Sequence, residues 1–257
     1  MIIGVGCWRG TGATTTALLL AAAIEAVGGN PWLIEADPAG GVLGGVLHVP
    51  VAPTSGLEAV AFPVQRRLPA EHFELAAQRV GGVRVVSGPA DPFRAHGCHT
   101  PRMPWPAALR ELDGDVVVDV GTLRAGSPLW PLLAQLDVLL LTVTTSSVSV
   151  VPSDAWSRVR GRVSAVDDGL AADITRFVVV DAPSSGEAFS RHILERELGD
   201  RLVGWLPWSP KCVELMHRGA RLSDRRLQRD ATAQAARRLA VHLTVASDEP
   251  TPAHGLR

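Results

Sequence analysis

Residues 4–24 read GVGCWRGTGATTTALLLAAAI. An apolar stretch runs into a glycine-rich turn and then into a helix-forming run. A phosphate-binding loop needs this order: main-chain N–H groups turned inward, a helix N-terminus behind them, and glycines for left-handed φ and close approach. Gly10 and Gly12 fall between strand and helix. Thr14 falls at the helix start, where a hydroxyl can ligate Mg2+. The common pattern G-x-x-x-x-G-K-[ST] is not met: its first glycine would be Cys7, and its lysine is Ala13.

The rest of the chain suits one α/β domain. Its 257 residues are 46% hydrophobic, enough for a large core, and the formal net charge of −1 points to no particular class of partner. Lys211 is the only lysine, and the preference for Arg is read as a compositional bias. Cys7, Cys98 and Cys212 form no framework, so a reduced compartment is expected. The N-terminus has no basic segment before its apolar run and no cleavage pattern, and no apolar run is long enough to span a bilayer. A soluble cytoplasmic protein is the expectation.

Short apolar runs alternate with helical stretches, the signature of a parallel sheet with crossover helices. Seven strands are expected, in MIIGVG, PWLIEAD, GVRVVSG, DGDVVVDVG, LDVLLLTVT, TRFVVVDAP and RLVGWLPW. Helices are expected over 14–28, AEHFELAAQRV, SPLWPLLAQ, SSGEAFSRHILEREL and ATAQAARRLAVHL, while FRAHGCHTPRMP and RMPWPAALRELDG are expected to be loops. The fold class is therefore a doubly wound, mainly parallel sheet of about seven strands with helices on both faces. The domain runs over 1–245 and a disordered tail over 246–257.

The loop resembles that of the ParA/MinD group of P-loop ATPases, K-G-G-x-G-K-[ST]-T. On this pattern Trp8 stands for the family's signature lysine, Arg9 for the first glycine, and Ala13 for the phosphate lysine. The GATT of residues 12–15 is similar to the pilus-associated TadZ/CpaE-like branch, which often has Ala at that place. The resemblance extends to WLIEADPAGG, similar to the switch segment h-h-D-x-D-P-x-G, with Glu35 in place of its first Asp and Asp37 on its second. DVVVDVGTLRAG is similar to the Walker B strand, TRFVVVDAPSSG to the strand ending near the base, with Asp181 where Asn is usual, and VGWLPWSPKCVELMHRG to a late segment lining the base pocket, with Pro207.

The resemblance implies a P-loop fold with ATP (or ADP) and Mg2+. Gly10, Thr11, Gly12, Ala13, Thr14 and Thr15 would cradle the phosphates, Thr14 and Asp119 would hold the metal, Asp37 would orient the attacking water, and Asp181 and Pro207 would flank the base. Asp181 opens the alternative of an altered base preference. Losing the lysine removes one charged hydrogen bond, roughly 1.5–3 kcal/mol, about ten- to a hundredfold in affinity. Hydrolysis, which depends on stabilising transition-state charge, is expected to suffer more than binding. Arg9 either supplies some of that charge or points to solvent. Gly10, Asp37 and Asp119 also have plain structural readings, as turn former, strand cap and ion-pair partner.

His96, Cys98 and His99 lie too few and too close for a tetrahedral metal site and are expected on a surface loop. Ser184 and Ser185 lack a nucleophile elbow and are expected to begin a helix. Arg218, Arg221, Arg225, Arg226, Arg229, Arg237 and Arg238 concentrate positive charge. Arg218, Arg221, Arg225 and Arg226 would serve nonspecific DNA contact, against the reading of a solvated face interrupted by Asp224 and Asp230. The C-terminus shows no basic amphipathic membrane helix. The function this implies is an ATP/Mg-dependent homodimer switch that positions or partitions a cargo, DNA, plasmid or protein complex, with an unidentified protein partner and weak or absent hydrolysis. The alternative is a nucleotide-free pseudo-ATPase scaffold. A metabolic P-loop enzyme would be expected to keep the loop lysine.

Overall fold

A computed structural model describes residues 1–49, 55–64, 69–100, 103–124, 127–163, 174–181 and 188–245. One sheet organises them. Its strands are β1 (Ile2–Cys7), β2 (Trp32–Glu35), β3 (Gln78–Val80), β4 (Val83–Val86), β5 (Val116–Thr122), β6 (Val138–Val143), β7 (Thr175–Asp181) and β8 (Leu202–Pro207), in the spatial order β3-β4-β2-β5-β1-β6-β7-β8. Every pairing is parallel except β3 with β4.

The helices are α1 (Ala13–Ala26), α2 (Leu43–Val46), α3 (Gly56–Ala61), α4 (Pro69–Ala76), α5 (Pro92–Gly97), α6 (Trp105–Ala108), α7 (Trp130–Leu133), α8 (Ser147–Val163), α9 (Arg191–Leu198), α10 (Pro210–His217) and α11 (Ala231–Val245).

Alternate strand residues feed two cores. Ile3, Val5, Leu33, Val117, Leu140 and Val178 pack with α1, α10 and α11 on one face. Ile2, Ile34, Val116, Val118, Leu139, Leu141 and Phe177 pack with α3, α4, α6, α7 and α9 on the other. Burial on both faces is why the central strands read as near-continuous apolar runs. The result is a three-layer α/β molecule. From β1 the chain moves toward β2 on one side, and from β5 it crosses β1 to reach β6 on the other. That reversal opens a crevice at the carboxyl ends of β1 and β5, where such sheets place ligands.

The architecture agrees with the sequence-based expectation, apart from local differences. There are eight strands, not seven. The run AEHFELAAQRV does not stay helical: α4 ends at Ala76, and Gln78–Val80 pairs antiparallel with β4. Gly81 (φ +56°) and Gly82 (φ +91°) link Val80 to Val83 through the two-residue, left-handed turn that suits a twisted hairpin. The two expected loops contain α5 and α6: Asp91 caps α5 by accepting from the amides of Phe93 (2.8 Å) and Arg94 (3.3 Å), and proline occupies the first turn of both helices. The helix expected over 184–198 starts at Arg191, behind Ser190, whose hydroxyl accepts from the Ile193 amide. Helix α8 has no counterpart in the sequence-based reading; its Val-, Ser- and Pro152-containing start has poor helix propensity. The expectations for Ser184, Ser185 and the tail over 246–257 fall outside the described residues.

Candidate phosphate and metal site

The β1–α1 loop is held open by its backbone. Gly10 (φ +62°) and Gly12 (φ +87°) both take left-handed conformations, and a Cβ built on either would meet nothing within 4 Å. These glycines are therefore set by conformation and not by neighbouring protein atoms, and the space before them is free. Gly12 is the N-cap of α1 and offers no side-chain cap, and the first turn carries no acidic residue. Three other helices of the molecule are closed: Ser190 caps α9, Ser209 caps α10, and Asp230 Oδ1 accepts from the Thr232 and Ala233 amides at the start of α11. The first amides of α1 thus remain available to an anion, in the favourable direction of the helix dipole.

Thr11 is tied down. Its hydroxyl donates to the Thr142 carbonyl (2.6 Å) and lies 2.9 Å from Thr142 Oγ1, so the loop is anchored on β6. Only the Thr11 amide remains for a ligand. Ala13 is buried at 4% exposure and presents no charge, and Thr15 is half-buried on the next position of the helix. Trp8 does not fill the loop. Its ring packs against the core beneath β5 and lines a cleft of about 460 Å3 with Arg9, Gly10, Thr122 and Arg124.

Asp119 on β5 lies against the start of α1, with Asp37, just past β2, and Glu35, the last residue of β2, close by. Asp119, fully buried, accepts from the Gly121 amide at 3.0 Å through Oδ1. The Thr14 hydroxyl lies against the same carboxylate, yet Oδ2 has no partner in hydrogen-bonding geometry. Burial pushes the Asp119 carboxyl up to about 7, reinforced by the negative charges of Glu35 and Asp37 and opposed by Thr14 and Gly121. An orphaned, buried carboxylate oxygen beside a threonine hydroxyl is the donor set a Mg2+ ion takes, hard oxygens with room left for water and phosphate. The residues fit the ion.

Asp37 is half-buried at the mouth. Its Oδ1 accepts from the Ala39 amide at 2.8 Å, and its carboxylate lies where a side chain on Gly121 would be. Burial raises its pKa, against the Ala39 and Thr122 amides that lower it.

Glu35 has a different part. It is 1% exposed; Oε1 accepts from the amides of Val42 (2.5 Å) and Leu43 (2.8 Å), and Oε2 from that of Gly88 (2.9 Å). Burial raises its pKa despite these bonds. Glu35 staples the segment after β2 to the exit of β4. This role was not legible in the sequence, where the residue is only a departure from the family's Asp.

The remaining sequence-derived residues divide. Asp181 and Pro207 meet in register at the ends of β7 and β8. His96, Cys98 and His99 do not form a surface loop. Cys98 is fully buried and His99 4% exposed, with Trp105 stacked edge-on at 5.7 Å between ring centroids. Apolar packing overrides the polar look of HGCHTP. No group of His, Cys, Asp and Glu suited to a metal ion by clustering alone occurs among the described residues. The His99 ring hydrogen-bonds to the main chain of Ala36, between Glu35 and Asp37, and burial lowers its pKa to about 4.

The Arg-rich segment lies at the other end of the sheet. Arg221 pairs with Glu25 at the end of α1, and Gly219 sits against the Gly81–Gly82 hairpin. Arg218 pairs with Glu214 and Arg226 with Asp224. Of the four arginines expected to contact DNA, only Arg225 has no ion pair among the described residues.

Fold and site together define a doubly wound α/β protein with a glycine-rich loop at the crevice. The chain is similar over nearly its whole length to MinD and ParA ATPases of known structure. The septum site-determining protein MinD of Pyrococcus horikoshii, solved with Mg-ADP, superposes with a TM-score of 0.75 at 18% identity, over 96% of this chain and 97% of that one. A ParA family ATPase of Chlorobium tepidum gives 0.71 at 15% identity over 94% and 98%. A Cyanothece McdA variant in complex with ATP gives 0.65 at 14% identity over 97% and 97%. At the level of sequence, neither a protein-family model nor a curated protein matches the chain. Among the described residues no helix is long and apolar enough to cross a membrane.

Proposed function

We propose that this chain is a nucleotide-dependent switch that positions or partitions a cargo. ATP (or ADP) with Mg2+ binds in the β1–α1 crevice of the unit formed by residues 1–245 and stabilises a homodimer; hydrolysis is weak or absent. The observation that carries this reading is the uncapped N-terminus of α1 standing beside the orphaned Asp119 oxygen. The similar structures with Mg-ADP and with ATP support it.

In this reading the amides of residues 10–15 hold the phosphates. Thr14 and Asp119 hold the metal shell, Asp37 orients water, and Asp181 and Pro207 flank the base. Bound Mg2+ would neutralise charge shared between phosphate oxygens. The chain's own contribution to the transition state is smaller than a lysine-bearing loop gives, because Ala13 offers no cation. Binding therefore persists while the chemical step slows. The loop sequence places the chain nearest the TadZ/CpaE-like branch.

A second reading, a scaffold that works without nucleotide, draws on the same buried Ala13. Thermal melting with and without millimolar Mg-ATP, followed by sizing, separates the two. The switch predicts a rise of several degrees and a dimer, both lost in Thr14→Ala and Asp119→Ala. An unchanged melting temperature in the wild-type protein sinks the switch and leaves the scaffold.

A further inference from the structure

The crevice has an unbalanced charge. Asp37 and Asp119 lie beside a loop with Ala13 where a phosphate-binding lysine would stand, so a polyphosphate entering it meets carboxylates with no lysine to offset them. Two guanidinium groups stand next to it. Arg9 lies in the loop itself. Arg124 comes from the opposite side by strand pairing: Cys7 is in register with Thr122, and the Leu123 amide donates to the Cys7 carbonyl at 2.7 Å. The parallel ladder thus continues past the end of β1 and brings the backbone at Arg124 abreast of Trp8 and Arg9. Both arginines are exposed and neither makes an ion pair among the described residues. Both line the cleft of about 460 Å3, together with Trp8, Gly10 and Thr122. Trp8 gives that cleft a rigid apolar wall, which weakens competition from water for any guanidinium–phosphate contact made above it.

We propose that Arg124, acting with Arg9 across the Trp8 cleft, grips the terminal phosphate of a nucleoside triphosphate in place of the missing loop lysine, and so makes the site selective for triphosphate over diphosphate. The inference rests on the nucleotide reading above and adds to it the residue that senses the last phosphate. Guanidinium suits this task, since its planar fork contacts two phosphate oxygens at once from outside the loop. A cation rooted on β5 can also report the presence of that phosphate to the segment that follows Thr122, which an alanine in α1 cannot.

The test is the ratio of Mg-ATP to Mg-ADP affinity, read by titration calorimetry at low salt, not turnover. Wild-type protein is expected to prefer Mg-ATP by about tenfold or more. Arg124→Ala should cut Mg-ATP affinity about ten- to a hundredfold while leaving Mg-ADP within about twofold. Arg124→Lys should recover part of the preference, and Arg9→Ala combined with Arg124→Ala should cost less than the sum of the two, as for groups sharing one phosphate. Both side chains are exposed, so the melting temperature without nucleotide should not move. Nucleotide binding with the same ATP/ADP ratio in Arg124→Ala overturns this inference and leaves the switch reading standing. If wild-type protein binds neither nucleotide at millimolar concentration, the switch reading falls and this inference with it.

Discussion

Two glycine-rich loops leave the carboxyl edge of the sheet, and they use glycine for opposite reasons. In the loop after β1, Gly10 and Gly12 face empty space, and only their left-handed φ forbids a side chain. In the segment after β2, a Cβ on Gly41 would fall 2.5 Å from Glu35 Oε2 and 2.6 Å from the Gly88 carbonyl. The first loop is shaped for something that comes from outside the chain. The second is shaped for the chain itself, and Glu35 is the staple that holds it. A glycine count makes the two loops alike; their surroundings separate binding site from scaffold.

The comparison can be broken most directly at Glu35. Glu35→Ala leaves three buried amides without an acceptor, and by the usual cost of such groups stability should fall by roughly 3–5 kcal/mol. Urea unfolding measures it. A loss under about 1 kcal/mol would mean that the segment after β2 is held by something else.

Next come the glycines themselves. Gly41→Ala meets main-chain atoms that cannot yield and should cost about 2–4 kcal/mol. Gly10→Ala should cost only the left-handed strain of about 1 kcal/mol, while weakening the response to Mg-ATP. Equal losses of stability at the two positions would erase the distinction drawn between the loops.

The last effect, absent at neutral pH, concerns a buried ring. His99 has its folded pKa lowered to about 4 from an ordinary 6.5. Its contribution to stability is therefore complete above pH 6.5 and is lost as the pH falls from 6.5 toward 4, by at most about 3 kcal/mol. Asp119, Glu35 and Asp37, whose pKa values are raised, act in the opposite direction, favouring the folded state as they take up protons. They are common to wild type and His99→Phe, so the difference between the two stability–pH curves isolates the imidazole. Parallel curves would place His99 in a site that accepts its charge.

Much of the fold was legible because its signals are local. Buried parallel strands write themselves as short Val-, Leu- and Ile-rich runs, and all seven such runs became strands. The eighth strand was hidden in a helix-like pattern, since Gln78–Val80 is extended only by pairing with β4 across the Gly81–Gly82 turn. Helix α8 was hidden for the converse reason, because its β-branched start has low intrinsic propensity and is helical through its place in the fold. In the candidate site, Gly10, Gly12 and Thr14 could be proposed from strand–turn–helix order, and Asp119 from the resemblance of its strand to a Walker B segment. Arg124 could not: nothing in TLRAG distinguishes it until β5 lies beside β1. The Arg-rich segment shows the same limit, since its ion pairs, Arg221 with Glu25, Arg218 with Glu214 and Arg226 with Asp224, are visible only in space.

By itself the sequence determined the alternation of strands and helices, the position of the glycine-rich loop, and Ala13 in place of a lysine, because hydrophobic period and turn chemistry act over a few neighbouring residues. Only the tertiary structure decided which glycines face solvent and which face protein, that Glu35 is a staple while Asp119 keeps an oxygen free, and that Arg124 stands opposite Arg9. Those outcomes depend on parallel pairing between strands more than a hundred residues apart, and a side chain's partners, burial and charge are fixed by that pairing.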